Sequence, residues 1–127
     1  MDRQDPSFDE YLAGGFLANS LVLFFVYAAK HLPPEYIAPA VLELFSSLIV
    51  VVGGGGAGYL VARKAQRNFL LVGLKTGVSG FLVNFAFSSI VFEGTSMQYG
   101  LWTLLLFCSG SSLGAQLRRH RCACVSC

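Results

Sequence analysis

The residues best suited to chemistry lie close together near the end of this sequence. Three thiols and one imidazole are spaced by one or two residues there: His120, Cys122, Cys124 and Cys127. Thiolate and imidazole groups bind soft metals such as Zn²⁺ and Cu(I). The spacing differs from that of standard structural zinc motifs, so three interpretations stay open. These are a metal or redox site, lipid-bearing cysteines beside a cluster of arginines, and a frayed reactive tail.

A second candidate is the glycine-rich segment 53–58, which reads Gly-Gly-Gly-Gly-Ala-Gly and follows a run of β-branched residues. In dinucleotide-binding folds, G-x-G-x-x-G lets backbone N–H groups approach a pyrophosphate at the start of a helix. That fingerprint also needs a carboxylate about 20 residues later, and residues 64–92 contain neither Asp nor Glu. We therefore predict no nucleotide and no cofactor. Without a credible Ser/His/Asp or Cys/His arrangement, we also predict no enzyme.

Long apolar segments dominate the rest of the chain. Hydrophobic residues make up 54% of the sequence and charged residues only 13%, about half the usual share of a soluble protein. Four segments approach the ~20 residues that a helix needs to cross a bilayer: 11–29, 39–62, 69–92 and 99–117. The sequence predicts one all-α membrane domain over residues 1–127, a polytopic antiparallel bundle of four transmembrane helices with a tail at 118–127.

The basic residues predict how these helices are oriented. Four spans place both tails and the middle loop on one side, which holds Arg3, Arg63, Lys64, Arg67, Lys75, Arg118, Arg119 and Arg121. The other side holds Lys30 alone. Because cytoplasmic loops are rich in Lys and Arg, we expect a multi-pass protein with cytoplasmic N- and C-termini. The net charge of +2 is too small to indicate a nucleic-acid partner.

Small residues recur at helical spacing in three of the predicted helices. Membrane helices associate through close backbone contact, which glycine and alanine permit. The predicted packing positions are Gly54, Gly58, Ala62, Gly73, Gly77, Gly80, Gly110 and Gly114. We favour a packing role for the glycine run over a functional hinge.

Asn19 and Asn84 are predicted to lie within the hydrocarbon region. An unpaired amide is costly there, so both should bond a neighbouring helix; lining a substrate path is the alternative. They end two similar segments 65 residues apart, 15–19 (Gly-Phe-Leu-Ala-Asn) and 80–84 (Gly-Phe-Leu-Val-Asn). Two Gly-x-x-x-Gly motifs, starting at Gly54 and Gly110, lie 56 residues apart. Either a two-helix hairpin was duplicated, or common membrane residues recur by chance.

Three features together resemble small uncharacterised four-helix membrane proteins of bacteria and archaea. They are Gly54-x-x-Ala57-Gly58-x-x-x-Ala62-Arg63-Lys64, then Gly73-x-x-x-Gly77, then a glycine-containing last helix that ends in arginines. The resemblance covers about residues 40–119. It implies a fold and a topology, and it brings no activity.

Three functions follow as hypotheses. Long apolar helices, short loops and the lack of ionisable groups deep in the membrane favour a non-catalytic membrane subunit. Such a subunit would pack against partner helices through its glycine faces and stabilise a larger complex. Its partners would be the lipid bilayer and other subunits or further copies. The first alternative is a small oligomeric transporter or channel lined by Asn19 and Asn84. The second is metal or redox handling by the cysteine tail.

Overall fold

The chain folds into four α-helices, as a computed structural model shows for residues 6–33, 35, 38–65, 67–91 and 97–124. In chain order they are α1 (Phe8–His31), α2 (Pro39–Ala62), α3 (Phe69–Val91) and α4 (Met97–Cys124). The predicted all-α class is confirmed. α1 is longer than its predicted span at both ends, and α4 continues into the predicted tail as far as Cys124.

Local sequence sets where the helices begin. At the start of α1 the Ser7 N–H donates to Glu10 Oε2 at 3.1 Å, which satisfies one of the donors that a helix start leaves free. Pro39 opens α2, where its missing N–H costs nothing. Asn68 precedes α3 with φ 57°, a left-handed conformation that asparagine tolerates better than most residues. Its carbonyl accepts the Val72 N–H at 3.1 Å.

Three of the described helices are long and apolar enough to cross a membrane: α1, α2, and α3 as far as Ile90. α4 is not among them, because serine, threonine and glutamine interrupt its apolar residues. Large apolar side chains face outward from the bundle; Phe24, Leu44 and Leu82 are all exposed. This distribution suits a hydrocarbon environment, and the insertion of the bundle and the fourth span remain predictions.

The helices are arranged as a ring in which α1 and α4 each contact both α2 and α3. α2 and α3 also touch across the middle, whereas the described residues of α1 and α4 do not touch. The contacts show that α1 with α2 and α3 with α4 are antiparallel pairs. α2 and α4 run parallel, because Gly110 faces Val51 and Gly114 faces Gly55. This pair forms the most extensive contact in the bundle.

The interior consists mainly of small residues. Phe107 of α4 is the largest fully buried side chain, and glycines make room for it. A methyl group added to Gly54 or Gly80 would lie 3.6 Å or 3.1 Å from Cδ1 of the Phe107 ring. Two clusters form the apolar core. One contains Val61, Ala62, Ala65, Val72 and Ala115; the other contains Ala18, Val50, Ala57 and Phe107.

Candidate functional site

Two glycines of α2 bring its backbone against that of α4. A methyl group on Gly54 would lie 3.2 Å from the carbonyl oxygen of Phe107. A methyl group on Gly58 would overlap the Ser111 backbone, with its Cα only 2.7 Å away. Backbone atoms cannot move aside as a flexible side chain can. Close approach of the two helices therefore requires glycine at position 58.

Two glycines of α4 face α2 in the same way. A methyl group on Gly110 would lie 2.5 Å from the Val51 carbonyl oxygen. One on Gly114 would overlap the backbone of Gly55, with its Cα at 2.9 Å. We call the contact built on Gly54, Gly58, Gly110 and Gly114 the glycine interface.

The glycine interface is reciprocal. Gly54 meets Phe107, which lies three residues before Gly110, and Gly110 meets Val51, which lies three residues before Gly54. The second glycine of each motif repeats this relation one turn later. An exchange of equivalent contacts is what a two-fold axis produces. The two Gly-x-x-x-Gly motifs, which lie 56 residues apart in the sequence, thus occupy equivalent positions on the two helices of this parallel pair.

The remaining predicted packing positions lie inside the same bundle. Methyl groups on Gly73 and Gly77 of α3 would lie 2.8 Å and 2.7 Å from the Cα atoms of Ser112 and Cys108 on α4. Gly80 faces the Phe107 ring, and Ala62 is fully buried in the first core cluster. These small-residue faces are occupied by the chain's own helices, so a partner helix would have to dock elsewhere.

Three further close approaches involve glycines outside the eight predicted packing positions. A methyl group on Gly14 would meet Val61 Cγ2 at 2.8 Å, one on Gly15 would meet Ser79 Oγ at 2.8 Å, and one on Gly53 would meet the Ala18 carbonyl oxygen at 2.7 Å. A methyl group on Gly56, within the same glycine run, would meet nothing within 4 Å in the described structure apart from the backbone of its own helix. Sequence spacing alone does not distinguish the glycines in close contact from Gly56, because the position of the neighbouring helix decides where a side chain would clash.

The two predicted intramembrane asparagines have different environments. Asn19 is 2% exposed, and its amide donates to the carbonyl oxygens of Gly15 at 2.9 Å and Gly80 at 2.8 Å. It therefore ties α1 to α3. Asn84 is half-buried, and its side chain has no hydrogen-bond partner in the described part of the chain.

The contacts of Asn19 explain this difference. An asparagine in a helix can donate to the carbonyl four residues earlier, as Asn19 does to Gly15. For Asn84 that carbonyl is Gly80. The Gly80 oxygen has two lone pairs. One accepts the helical N–H of Asn84 and the other accepts the Asn19 amide, so none is left for the Asn84 side chain.

Three buried or half-buried hydroxyls also join the helices or cap turns within them. Ser111 Oγ donates toward the Gly73 carbonyl oxygen of α3 at 2.7 Å, and Ser79 Oγ donates to the Tyr11 carbonyl oxygen at 2.9 Å. Thr76 Oγ1 donates to a carbonyl oxygen of its own helix. Serine and threonine are common in apolar helices, so the sequence alone does not identify these three hydroxyls as hydrogen-bonded groups. Every buried polar side-chain atom of the described residues has a partner, and no described Asp, Glu, Lys or Arg is buried.

The described part of the cysteine tail, residues 120–124, is helical. α4 remains helical as far as Cys124, which places His120 and Cys124 one turn apart on its exposed surface. Cys127, the last predicted candidate ligand, lies outside the described residues. Among the residues that the structure describes, no three His, Cys, Asp or Glu side chains converge as a metal site would require.

Basic side chains surround the end of the bundle where α2 and α4 finish and α1 and α3 begin. Lys64 forms an ion pair with Glu10, and Lys75 Nζ lies 5.8 Å from the centre of the Tyr11 ring. Arg67 of the α2–α3 connection and Arg119 of α4 line a common depression. The predicted basic side of the membrane thus corresponds to one end of the folded molecule.

Comparisons with models of known protein families, with curated proteins and with solved structures gave no match. The resemblance to small four-helix membrane proteins stays a hypothesis. The function proposed for the chain therefore depends on its sequence and its geometry.

Proposed function

We propose that the chain is a multi-pass integral membrane protein, with four spanning helices and cytoplasmic termini, that acts as a non-catalytic subunit of a larger membrane assembly. Three helices that could each span a bilayer support the location, as does the gathering of basic residues at one end. The described interior consists mainly of small residues and contains no buried charged side chain, which favours a packing role over acid–base chemistry.

Asn84 is the observation that favours assembly with a partner. Its half-buried amide lies in the second half of α3 and has no intramolecular hydrogen bond within the described structure. An unsatisfied polar group in hydrocarbon is costly, and side-chain amides commonly bond across helix–helix contacts in membranes. A helix from another subunit or a second copy would supply the missing bond. The glycine faces are packed against the chain's own helices. The partner would therefore dock on the surface around Asn84 rather than on the glycine faces.

Asn19 weighs against a transport path lined by both asparagines. Its amide would have to release two carbonyl oxygens to contact a substrate. Because one of these bonds joins α1 to α3, such a release would also loosen the bundle. A subunit role needs no such rearrangement.

We also infer that the bundle arose by duplication of a two-helix hairpin. The reciprocal glycine interface supports this, since it places the two recurring motifs at equivalent positions of one parallel helix pair. The equivalence does not extend to the whole bundle, because α2 touches α3 whereas the corresponding pair, α1 and α4, does not touch in the described structure.

Native extraction tests the subunit role. The wild-type chain, taken from its own membranes in mild detergent, should elute with a second polypeptide or as an oligomer. Asn84→Leu should reduce that association by several-fold, because it removes the amide without removing bulk. Asn84→Gln, which keeps the amide, is the matched control and should retain more of it. A wild-type chain that elutes alone as a monomer would exclude the proposal.

A further inference from the structure

The basic end of the bundle contains a depression built from two helices. It lies between the start of α3 and the last turns of α4, and its lining residues are Arg67, Asn68, Phe69, Leu70, Gln116 and Arg119. The two arginines are 52 positions apart in the sequence. Tertiary structure alone places their side chains on the same concave surface.

The positive charge of this depression is not compensated by the described acidic residues. Neither Arg67 nor Arg119 forms an ion pair with any of them, and Glu10 is already paired with Lys64. Glu10 and Asp9 lie on α1, which does not touch α4 in the described structure. Two exposed guanidinium groups thus share one recess. Guanidinium groups match the geometry of phosphate oxygens and can bind them with two parallel hydrogen bonds.

The other lining residues suit a ligand that is polar at one end and apolar at the other. The side-chain amides of Asn68 and Gln116 add neutral hydrogen-bond donors beside the arginines. Phe69 is half-buried and Leu70 is exposed, so the recess is continuous with an apolar helix face. In the proposed topology this face meets the cytoplasmic leaflet, which carries anionic lipids.

We propose that this depression is a binding site for a phosphate group, supplied in the membrane by the headgroup of an anionic phospholipid. The lipid source rests on the proposed membrane location, whereas binding of a phosphate group does not. Free phosphate shares the same recognition chemistry, so the experiment contains an arm for each source.

The test uses the purified full-length chain in mild neutral detergent. Its thermal unfolding midpoint is measured with added short-chain phosphatidylglycerol, short-chain phosphatidylcholine or inorganic phosphate. Phosphatidylglycerol should raise the midpoint more than phosphatidylcholine does. The double variant Arg67→Gln/Arg119→Gln should weaken this response on the order of tenfold, since charge-assisted hydrogen bonds are lost. Arg63→Gln/Arg121→Gln removes the same charge nearby, outside the depression, and should respond like the wild type.

Four outcomes decide the proposal, with circular dichroism confirming that each variant folds. A response that is lost only in the first double variant supports the site. An equal loss in both double variants overturns it, because general charge attraction then explains binding. A response to phosphate alone that is lost only in the first double variant supports the site and identifies free phosphate as the ligand. No response to any added phosphate compound overturns it. A chain that is soluble without detergent would remove the membrane role, and the phosphate arm would still test the site.

Discussion

Gly114 and Gly56 have similar neighbours in the sequence, yet they contribute differently to the fold. A methyl group on Gly114 would overlap the backbone of Gly55, whereas one on Gly56 would meet nothing within 4 Å. The first glycine is required by the approach of another helix. The second is compatible with any small residue, and alanine favours a helix more than glycine does.

Gly114→Ala is therefore expected to destabilise the protein by about 1–3 kcal/mol, the usual range for overpacking a core. The measurement is reversible unfolding in mixed micelles, followed by circular dichroism. Gly56→Ala is the matched control and should be neutral or slightly stabilising. Equal effects of the two substitutions would contradict the close α2–α4 contact.

Asn19 and Asn84 form a second contrast at the residue scale. Asn19→Leu removes the amide that joins α1 to α3, so we expect it to lower the free energy of unfolding by about 0.6–1.7 kcal/mol, from the average to the maximum measured for hydrogen bonds between membrane helices. Asn84→Leu breaks no described intramolecular hydrogen bond and should leave the unfolding free energy of the isolated chain almost unchanged. The same micelle unfolding assay compares them. A larger loss of unfolding free energy for Asn84→Leu than for Asn19→Leu would contradict the assignment of the interhelical hydrogen bond to Asn19.

At the scale of the elements, the antiparallel α1–α2 contact fixes which positions face each other. A Cβ atom built on Gly14 would lie 3.9 Å from Ala57 Cβ, close to the ~3.8 Å typical of disulfides. In a variant whose native cysteines are replaced by serine, Gly14→Cys/Ala57→Cys should therefore form a disulfide under mild oxidation. The readout is a mass decrease of two hydrogens in the intact protein.

The control for this cross-link uses the neighbouring position. Gly56 is exposed on α2, so Gly14→Cys/Gly56→Cys should stay reduced under the same conditions. Efficient cross-linking of the control, or none of the first pair, would mean that α2 presents a different face to α1.

The glycine run of α2 shows how contacts between helices can offset a poor local helix propensity. Residues 53–58 are helical throughout, despite the poor helix propensity of glycine. Contacts with α1 on one side and α4 on the other compensate for that propensity. The structure thus uses the run for packing against two helices at once, and only Gly56 is left without a close neighbour.

At the scale of the whole molecule, the distribution of basic residues predicts orientation in the membrane. Glu35 lies in the α1–α2 connection and Arg67 in the α2–α3 connection, and both side chains are exposed. In the variant without native cysteines, an impermeant maleimide added to intact cells should label Glu35→Cys and spare Arg67→Cys. Permeabilised cells should show labelling of both. The reverse pattern in intact cells would place the termini outside.

The sequence by itself determined the number of helices, their approximate limits and the gathering of basic residues at one end. Apolar length and charge are local properties, and α2 begins and ends at the residues that they predict. The helical course of residues 118–124 differs from the predicted tail, because a polar segment with few apolar residues gives no strong local signal for a helix. Their structure follows from the continuation of α4.

Tertiary structure decided which small and polar residues have partners. Gly56 and Gly58 look alike in the sequence, and only the position of α4 separates them. Asn19 and Asn84 end nearly identical segments, and competition for one carbonyl oxygen leaves the Asn84 side chain without a hydrogen bond to any described residue. Side-chain partners depend on helix rotation and distance, which arise when the whole bundle packs. A hydropathy pattern contains neither quantity.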